Sequence, residues 1–458
     1  MSSLVPTLAA LLLIFVAGFG VRSFLLRNAQ SIAFGELIAL SWFSGAALIS
    51  LSLWLLGRFL HGVPLQFVVA IISVGFALAG FMHWRRQKIS VRIPWPLTWF
   101  EGALLVLLCL EFALVFLLTF KHTLGWDGLV IWELKARYAY LNGGALPPEY
   151  FSDATRAFSH PEYPLFLPMI ETWIYFWIGD CDQYWVKLIF PVFYASGMVL
   201  LAQAGADWSG RRWIGLFAAS LFLFVPSLTC MAGGIIHGYA DVPLSLVYLA
   251  AFYFLSVFAR GNSINSLSIF IVLAAILPWI KRDGLILWFV LTICAVFIIW
   301  RRRGIFPAIL SILPGICVLG AWQIYLHVMH ARIPQVFLPI NFSILSSNLY
   351  RLGPVVQALI DEVTELSRWS LLWFVVPVAF VSLAFRHRDD RAIALIICCL
   401  APIALYCGTY LFSASPDYLH HVHSSLPRLL LHVTPLSILS IALALAPPRN
   451  EAPKTTAG

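Results

Sequence analysis

The chain has 458 residues, of which 61% are hydrophobic and only 11% charged. Soluble domains carry roughly 25% charged side chains, so a set of water-soluble domains is excluded and a single bilayer-embedded domain is expected. The net charge of +8 does not point to nucleic acid, because the basic residues sit in short clusters between apolar runs, the pattern that orients membrane proteins.

The first apolar run, from Leu4, has no basic residues before it and no small-residue cleavage pattern, so it reads as a retained helix and not a signal peptide. Apolar stretches able to cross roughly 30 Å of hydrocarbon recur near 4–20, 31–56, 64–82, 98–120, 184–204, 213–230, 243–259, 266–280, 285–300, 305–327, 369–385, 392–412 and 429–446. The expected fold class is an all-α polytopic membrane protein of about 13 transmembrane helices. Long polar segments at 121–163 and 328–368, and a shorter one at 413–428, interrupt the series. The eight cysteines are scattered singly or as Cys398-Cys399, with no CxxC pair, and read as small core residues, not a disulfide or zinc framework.

One stretch decides the topology. Leu165 to Gly179 is apolar and aromatic, but it contains Pro168 and Glu171 and is barely long enough to span. If it does not cross, the clusters Arg85-Arg86-Gln87-Lys88, Arg211-Arg212, Arg301-Arg302-Arg303 and Arg386-His387-Arg388 share one face, which the positive-inside rule makes cytoplasmic. If it crosses, the first cluster opposes the rest. The segment 164–180 is therefore expected to lie in the outer interface. That leaves 121–163, 231–241, 281–284, 328–368 and 413–428 together outside, with Lys281-Arg282-Asp283 as an exception to the charge rule. Two cations on that face suggest an anion to be held.

In the first outer loop, Gly125-Trp126-Asp127-Gly128 precedes a run in which Leu129, Trp132, Ala136 and Ala139 or Tyr140 recur at helical spacing. Glu133 and Arg137 fall one turn apart, so an amphipathic surface helix is expected. The spacing by itself favours Asp127 as the N-cap of that helix; the alternative is a carboxylate at the bilayer edge that takes a proton from an acceptor hydroxyl. Ser159-His160-Pro161-Glu162-Tyr163-Pro164 then forms a turn set by two prolines, in which His160 and Glu162 either orient a substrate or cap the turn. The loop His237-Gly238-Tyr239-Ala240-Asp241-Val242-Pro243 brings a second carboxylate to a helix mouth, where an ordinary cap is also a sufficient reading.

Taken in order with Ile280-Lys281-Arg282-Asp283-Gly284, these motifs resemble the GT-C superfamily of membrane glycosyltransferases, in particular the protein O-mannosyltransferases and lipid A aminoarabinose transferases. The likeness covers roughly residues 98–300, with a weaker echo in Ser424-Ser425-Leu426-Pro427-Arg428-Leu429-Leu430. It implies Asp127 at the catalytic acidic position, Asp241 at the second acidic position, and 164–180 as a juxtamembrane helix. Two departures are visible: Asp127-Gly128 where many relatives have Asp-Glu, and Glu162-Tyr163 where the aminoarabinose transferases have a lysine near the turn. The implied organisation is an N-terminal set of helices, 1–97, outside the shared module, a catalytic module at 98–300 with outer loop 121–183, and C-terminal helices at 301–458. The implied activity is inverting transfer of a sugar from a polyprenyl-phosphate donor to a hydroxyl of a glycan, lipid or protein acceptor, at the outer face of a bacterial inner membrane, without a cofactor.

Such chemistry needs a base and cations for the leaving phosphate. Lys281, Arg282 and Arg428 are the phosphate candidates, with His160, Glu162, Tyr163 and His421 as further donor contacts, although a basic residue at a span end commonly only reaches for headgroups. His420, His421 and His423 sit without an obvious carboxylate partner, and the outer loops contain no Asp-x-Asp, so no metal is expected. The 18 tryptophans are explained by interfacial anchoring. A transporter or flippase is the alternative, with Glu36, Glu101 and Glu111 in or near spans; the acidic residues otherwise concentrate at helix ends and not at mid-membrane, which favours an interfacial enzyme.

Overall fold

A chain in hydrocarbon must pair its own backbone groups, and apolar runs do so as helices. The computed structural model, which describes residues 3–26, 31–60, 62–93, 96–387 and 389–446, is accordingly almost entirely helical. Its first four long helices are α1 (Leu4–Phe24), α2 (Phe34–Phe59), α3 (Leu65–Gln87) and α4 (Trp99–Lys121). The short helices α5 (Leu134–Leu141) and α6 (Phe166–Ile178) follow in the first large loop. Then come α7 (Gln183–Ser209), α8 (Arg212–Phe224), α9 (Asp241–Gly261), α10 (Ile264–Ile280), α11 (Gly284–Arg303) and α12 (Ile305–Val328). After a surface helix α13 (Leu352–Val363), the chain ends in α14 (Leu372–Arg386), α15 (Asp390–Phe412), α16 (Tyr418–Leu431) and α17 (Thr434–Ala444).

Among the described residues nine helices are long and apolar enough to cross a membrane, or ten if α16 and α17, bent by 49°, form one broken span. Of the other expected spans, α8, α10 and α14 are apolar helices of 10–17 residues. The expected run 213–230 is interrupted because Pro226 ends the helix and starts a separate turn at Pro226–Thr229. The expected loop 413–428 is corrected: most of it is helix α16. Asp417 accepts from the His420 backbone N–H at its start, and Val422, Leu426 and Leu429 to Leu431 are buried along one side.

Ion pairs fix which helix ends share a face. Arg212, at the start of α8, pairs with Glu101, at the start of α4, at 3.3 Å, and donates to the Pro96 carbonyl at 3.0 Å. On the same side Arg301 meets Asp390 at 2.9 Å and Arg303 meets Asn262 at 2.7 Å. A two-stranded parallel ladder of Ser31–Ala33 with Ser90–Arg92 ties the start of α2 to the end of α3 there as well. These contacts place Trp99 and Ser209 at one end, so α4 and α7 run in opposite directions, with α6 between them. Its 13 residues rise roughly 20 Å, short of the hydrocarbon thickness. Arg388 of the last basic cluster lies outside the described residues.

The N-terminal helices pack into the rest of the core. A Cβ on Gly18 would stand 1.8 Å from the Ser41 carbonyl oxygen, so the close approach of α1 to α2 needs glycine there. Trp173 of α6 donates to the Ala10 carbonyl and Trp279 of α10 to Ser50, both at 3.0 Å, giving buried indole N–H groups the partners they require. Absolute sidedness is open to a direct test. Single cysteines at Glu149 and at Arg211, both exposed, are expected to label from opposite sides in a cysteine-depleted background. Labelling of both from one side would refute the topology.

Candidate functional site

At the face opposite the basic clusters, five helix ends converge on a group of charged side chains. The long loop after α4 enters it through Gly125-Trp126-Asp127-Gly128, which docks on the loop before α9. The Gly125 N–H donates to the His237 carbonyl at 2.9 Å, and the Asp127 N–H donates to the Tyr239 hydroxyl at 3.2 Å. A Cβ on Gly128 would lie 2.3 Å from the His237 carbonyl oxygen. Glycine at 128, the departure noted in the sequence, thus has a steric cause: any side chain would push the two loops apart.

Asp127 does not cap. The π-helical turn Gly128–Glu133 that follows it receives no side-chain bond from Asp127, which corrects the reading favoured by spacing. Its Oδ2 instead meets Arg428 Nη1 at 2.7 Å. Asp241 is not a cap either; it is the first residue of α9 and makes no capping bond. Its carboxylate, sealed from solvent, lies 2.7 Å from Lys281 Nζ, 3.0 Å from His432 Nε2 and 3.5 Å from Arg428 Nε. Lys281 also meets Asp283 at 2.7 Å, His432 is hydrogen-bonded to the Tyr406 hydroxyl at 3.0 Å, and the Arg428 guanidinium lies 5.0 Å over the Tyr239 ring.

Lys281, expected as a phosphate ligand, is buried between two carboxylates. Burial works against its charge, but Asp241 and Asp283 outweigh burial and raise its pKa above the ordinary lysine value. The same pairing explains why a cation sits on the wrong face for the charge rule: it arrives neutralised. Arg282 is more open, with 45% of its side chain exposed, and rests 5.7 Å from the Phe337 ring.

The His160 to Pro164 turn forms the adjoining wall. His160 lies 3.2 Å from Glu162 and stacks on Tyr163 at 4.6 Å, and Arg282 approaches Glu162 at 3.9 Å. Burial would raise the Glu162 carboxyl, but the His160 contact and Lys135 prevail and hold it below its usual range. His421 makes no ion pair with the Asp127 cluster among the described residues. Its ring is hydrogen-bonded to Ser413 at 2.9 Å and lies near Phe337 and Tyr410, so it fastens the chain before α16 to its first turn. His420 and His423 are exposed and form no joint ligand set with it among the described residues. The one group with metal-compatible spacing among the described residues is Asp241, Asp283 and His432, with ligand atoms within 4.8 Å of one another. The Lys281 ammonium already bridges its two carboxylates, so a cation could enter only by displacing it.

Sequence reasoning quoted Asp283 and Tyr239 within its motifs without giving them a role, and missed His432 and Lys135. His432 follows Arg428 by four residues, a helical repeat that could have flagged it. Lys135 carries no such signal. It is fully buried under the turn, donating to the His160 carbonyl at 2.6 Å and lying 5.6 Å from the rings of both Trp132 and Tyr163. Burial pushes its pKa down from 10.5 to about 7, with Glu162 opposing. Between those two values the unfolded chain holds more protons, so this group's contribution to stability is least favourable below pH 7 and improves as pH rises. Lys135→Met is therefore expected to gain in thermal stability over the native protein most at pH 6, with the gap closing by roughly 1.4 kcal/mol per pH unit at its steepest towards pH 9. A gap independent of pH would refute the buried-amine assignment.

No protein-family model and no curated protein matches the chain.

Proposed function

We propose that this protein is a GT-C-type glycosyltransferase that moves a sugar from a polyprenyl-phosphate donor to an acceptor hydroxyl of a glycan, lipid or protein. On this reading thirteen helices cross, α16 and α17 count as one broken span, and the site opens on the outer face of a bacterial inner membrane. The observation that carries it is the Asp127–Arg428 pair at the mouth of the cluster: an acid and a guanidinium 2.7 Å apart, both partly exposed. An inverting transfer needs both functions, a base for the acceptor on one face of the anomeric carbon and a cation for the leaving phosphate on the other, and here they start from one site.

Asp127 takes the proton as the acceptor oxygen attacks the anomeric carbon. The bond from that carbon to the phosphate oxygen breaks, and its electron pair leaves on polyprenyl phosphate. Arg428 and Arg282 stabilise the negative charge gathering there, since charge-assisted hydrogen bonds are the strong ones. Asp241 and Lys281, both buried, act as positioning residues: they hold Arg428 and the α9, α10 and α11 ends in register. Trp126, exposed beside Asp127, supplies an aromatic face for the sugar.

The acidic and basic groups of this cluster lie at helix ends and loops, which supports an interfacial enzyme over a transporter with a mid-membrane site. The decisive experiment supplies the purified protein in nanodiscs with polyprenyl-phosphate sugars and follows release of polyprenyl phosphate. Absence of release or transfer with every donor and acceptor class would overturn the reading. Arg282→Gln is expected to weaken binding of polyprenyl phosphate about tenfold, as loss of one charge-assisted contact does; unchanged binding would assign Arg282 to lipid headgroups.

A further inference from the structure

Three carboxylates, Asp127, Asp241 and Asp283, share two cations, Lys281 and Arg428, in one connected set of ion pairs, with Arg282 beside it against Glu162. Lys281 is shared between Asp241 and Asp283 and is shut in, whereas Asp127 and Arg428 form the partly open pair, with 14% and 18% of their side chains exposed. Arg428 is also incompletely used. Its Nε and the Asp241 Oδ2 lie 3.5 Å apart, and neither has a hydrogen-bond partner among the described residues. A guanidinium has five N–H donors in a fork that fits a phosphate, and this one is spent mainly on Asp127.

An anion that comes up beside Asp127 is repelled by that carboxylate unless the guanidinium turns from it towards the anion.

We propose that Arg428 is a latch that holds the Asp127 carboxylate until a donor phosphate takes the guanidinium away. This deepens the glycosyltransferase reading and rests on it: the donor binds first, and its phosphate draws Arg428 off Asp127. The carboxylate oxygen that held the guanidinium is thereby freed to accept another hydrogen bond. Only then is it ready for the acceptor hydroxyl. Tyr239, which accepts from the Asp127 N–H and lies under Arg428, keeps the loop in place while the guanidinium moves. The order of binding is thus built into one ion pair.

The test uses the full chain in nanodiscs and polyprenyl monophosphate as probe. If native Arg428 must leave Asp127 to bind the phosphate, Asp127→Asn removes the competitor, and Kd is expected to fall by about tenfold or more, the equivalent of one charge-assisted bond. Arg428→Gln is expected to lose binding whether or not Asp127 is present. Equal or weaker binding by Asp127→Asn, with the native protein binding normally, would overturn the latch and leave the transferase reading standing. Failure of the native protein to bind the probe would instead remove the donor reading and the latch with it. A structure of the native protein with the probe bound decides the matter without any substitution. The Asp127–Arg428 separation, 2.7 Å here, is expected to open beyond hydrogen-bond reach, and an intact pair beside a bound phosphate would refute the proposal.

Discussion

Asp127→Asn is expected to leave the protein inserted and folded while reducing sugar transfer by a factor of roughly 10²–10⁴, the usual loss for a positioned base. Asparagine keeps the size of aspartate and can still accept one hydrogen bond from Arg428, so the loops around Gly125 and Gly128 have no reason to separate. It cannot take the acceptor's proton. The rival account, in which Asp127 only caps a helix, expects little change from a residue that caps equally well; the absence of any capping bond from Asp127 already weighs against it. Transfer would be followed as polyprenyl phosphate released by equal amounts of native and substituted protein. Native rates in Asp127→Asn would refute the base assignment.

Asp241→Ala is expected to act through stability. Its carboxylate is fully buried and faces Lys281, His432 and Arg428. Deleting it leaves the buried Lys281 ammonium with a single remaining carboxylate partner, Asp283. Removing one member of a buried ion network costs about 3–5 kcal/mol, a large part of the stability of most domains. A marked drop in the unfolding temperature in detergent, with poor accumulation in membranes, is the expected result. Asp241→Asn retains an oxygen for His432 or Lys281 and should be milder in both stability and activity than Ala, and milder in activity than Asp127→Asn. An Asp241→Ala protein as stable as the native chain would show that the cluster is not held together by this carboxylate.

The membrane-embedded helical class was legible in the sequence because it follows from composition and hydropathy, which are sums over residues and need no knowledge of contacts. Pairing of backbone groups in hydrocarbon then leaves helices as the form of these runs. The positions of the long helices followed for the same reason, and the proline and limited length of 164–180 already marked it as unlike them; it is a helix of 13 residues. Helix breaks were less legible: α16 was hidden in a segment that looked polar, because its apolar face is narrow and its polar face carries three histidines.

Asp127 and Asp241 could be singled out by type and neighbourhood, but the spacing favoured a cap for the first and allowed an ordinary cap for the second. A cap is a local interaction, visible in a few consecutive residues, whereas the true partners of these carboxylates are Arg428, 301 positions along the chain from Asp127, and Lys281 and His432, 40 and 191 positions from Asp241. The burial of Lys281 between two acids, and the pairing of Asp127 with Arg428, arise only when the ends of α9, α10, α11 and α16 meet. Charge at a site is a property of what surrounds it, and in this protein the surroundings come from the whole length of the chain.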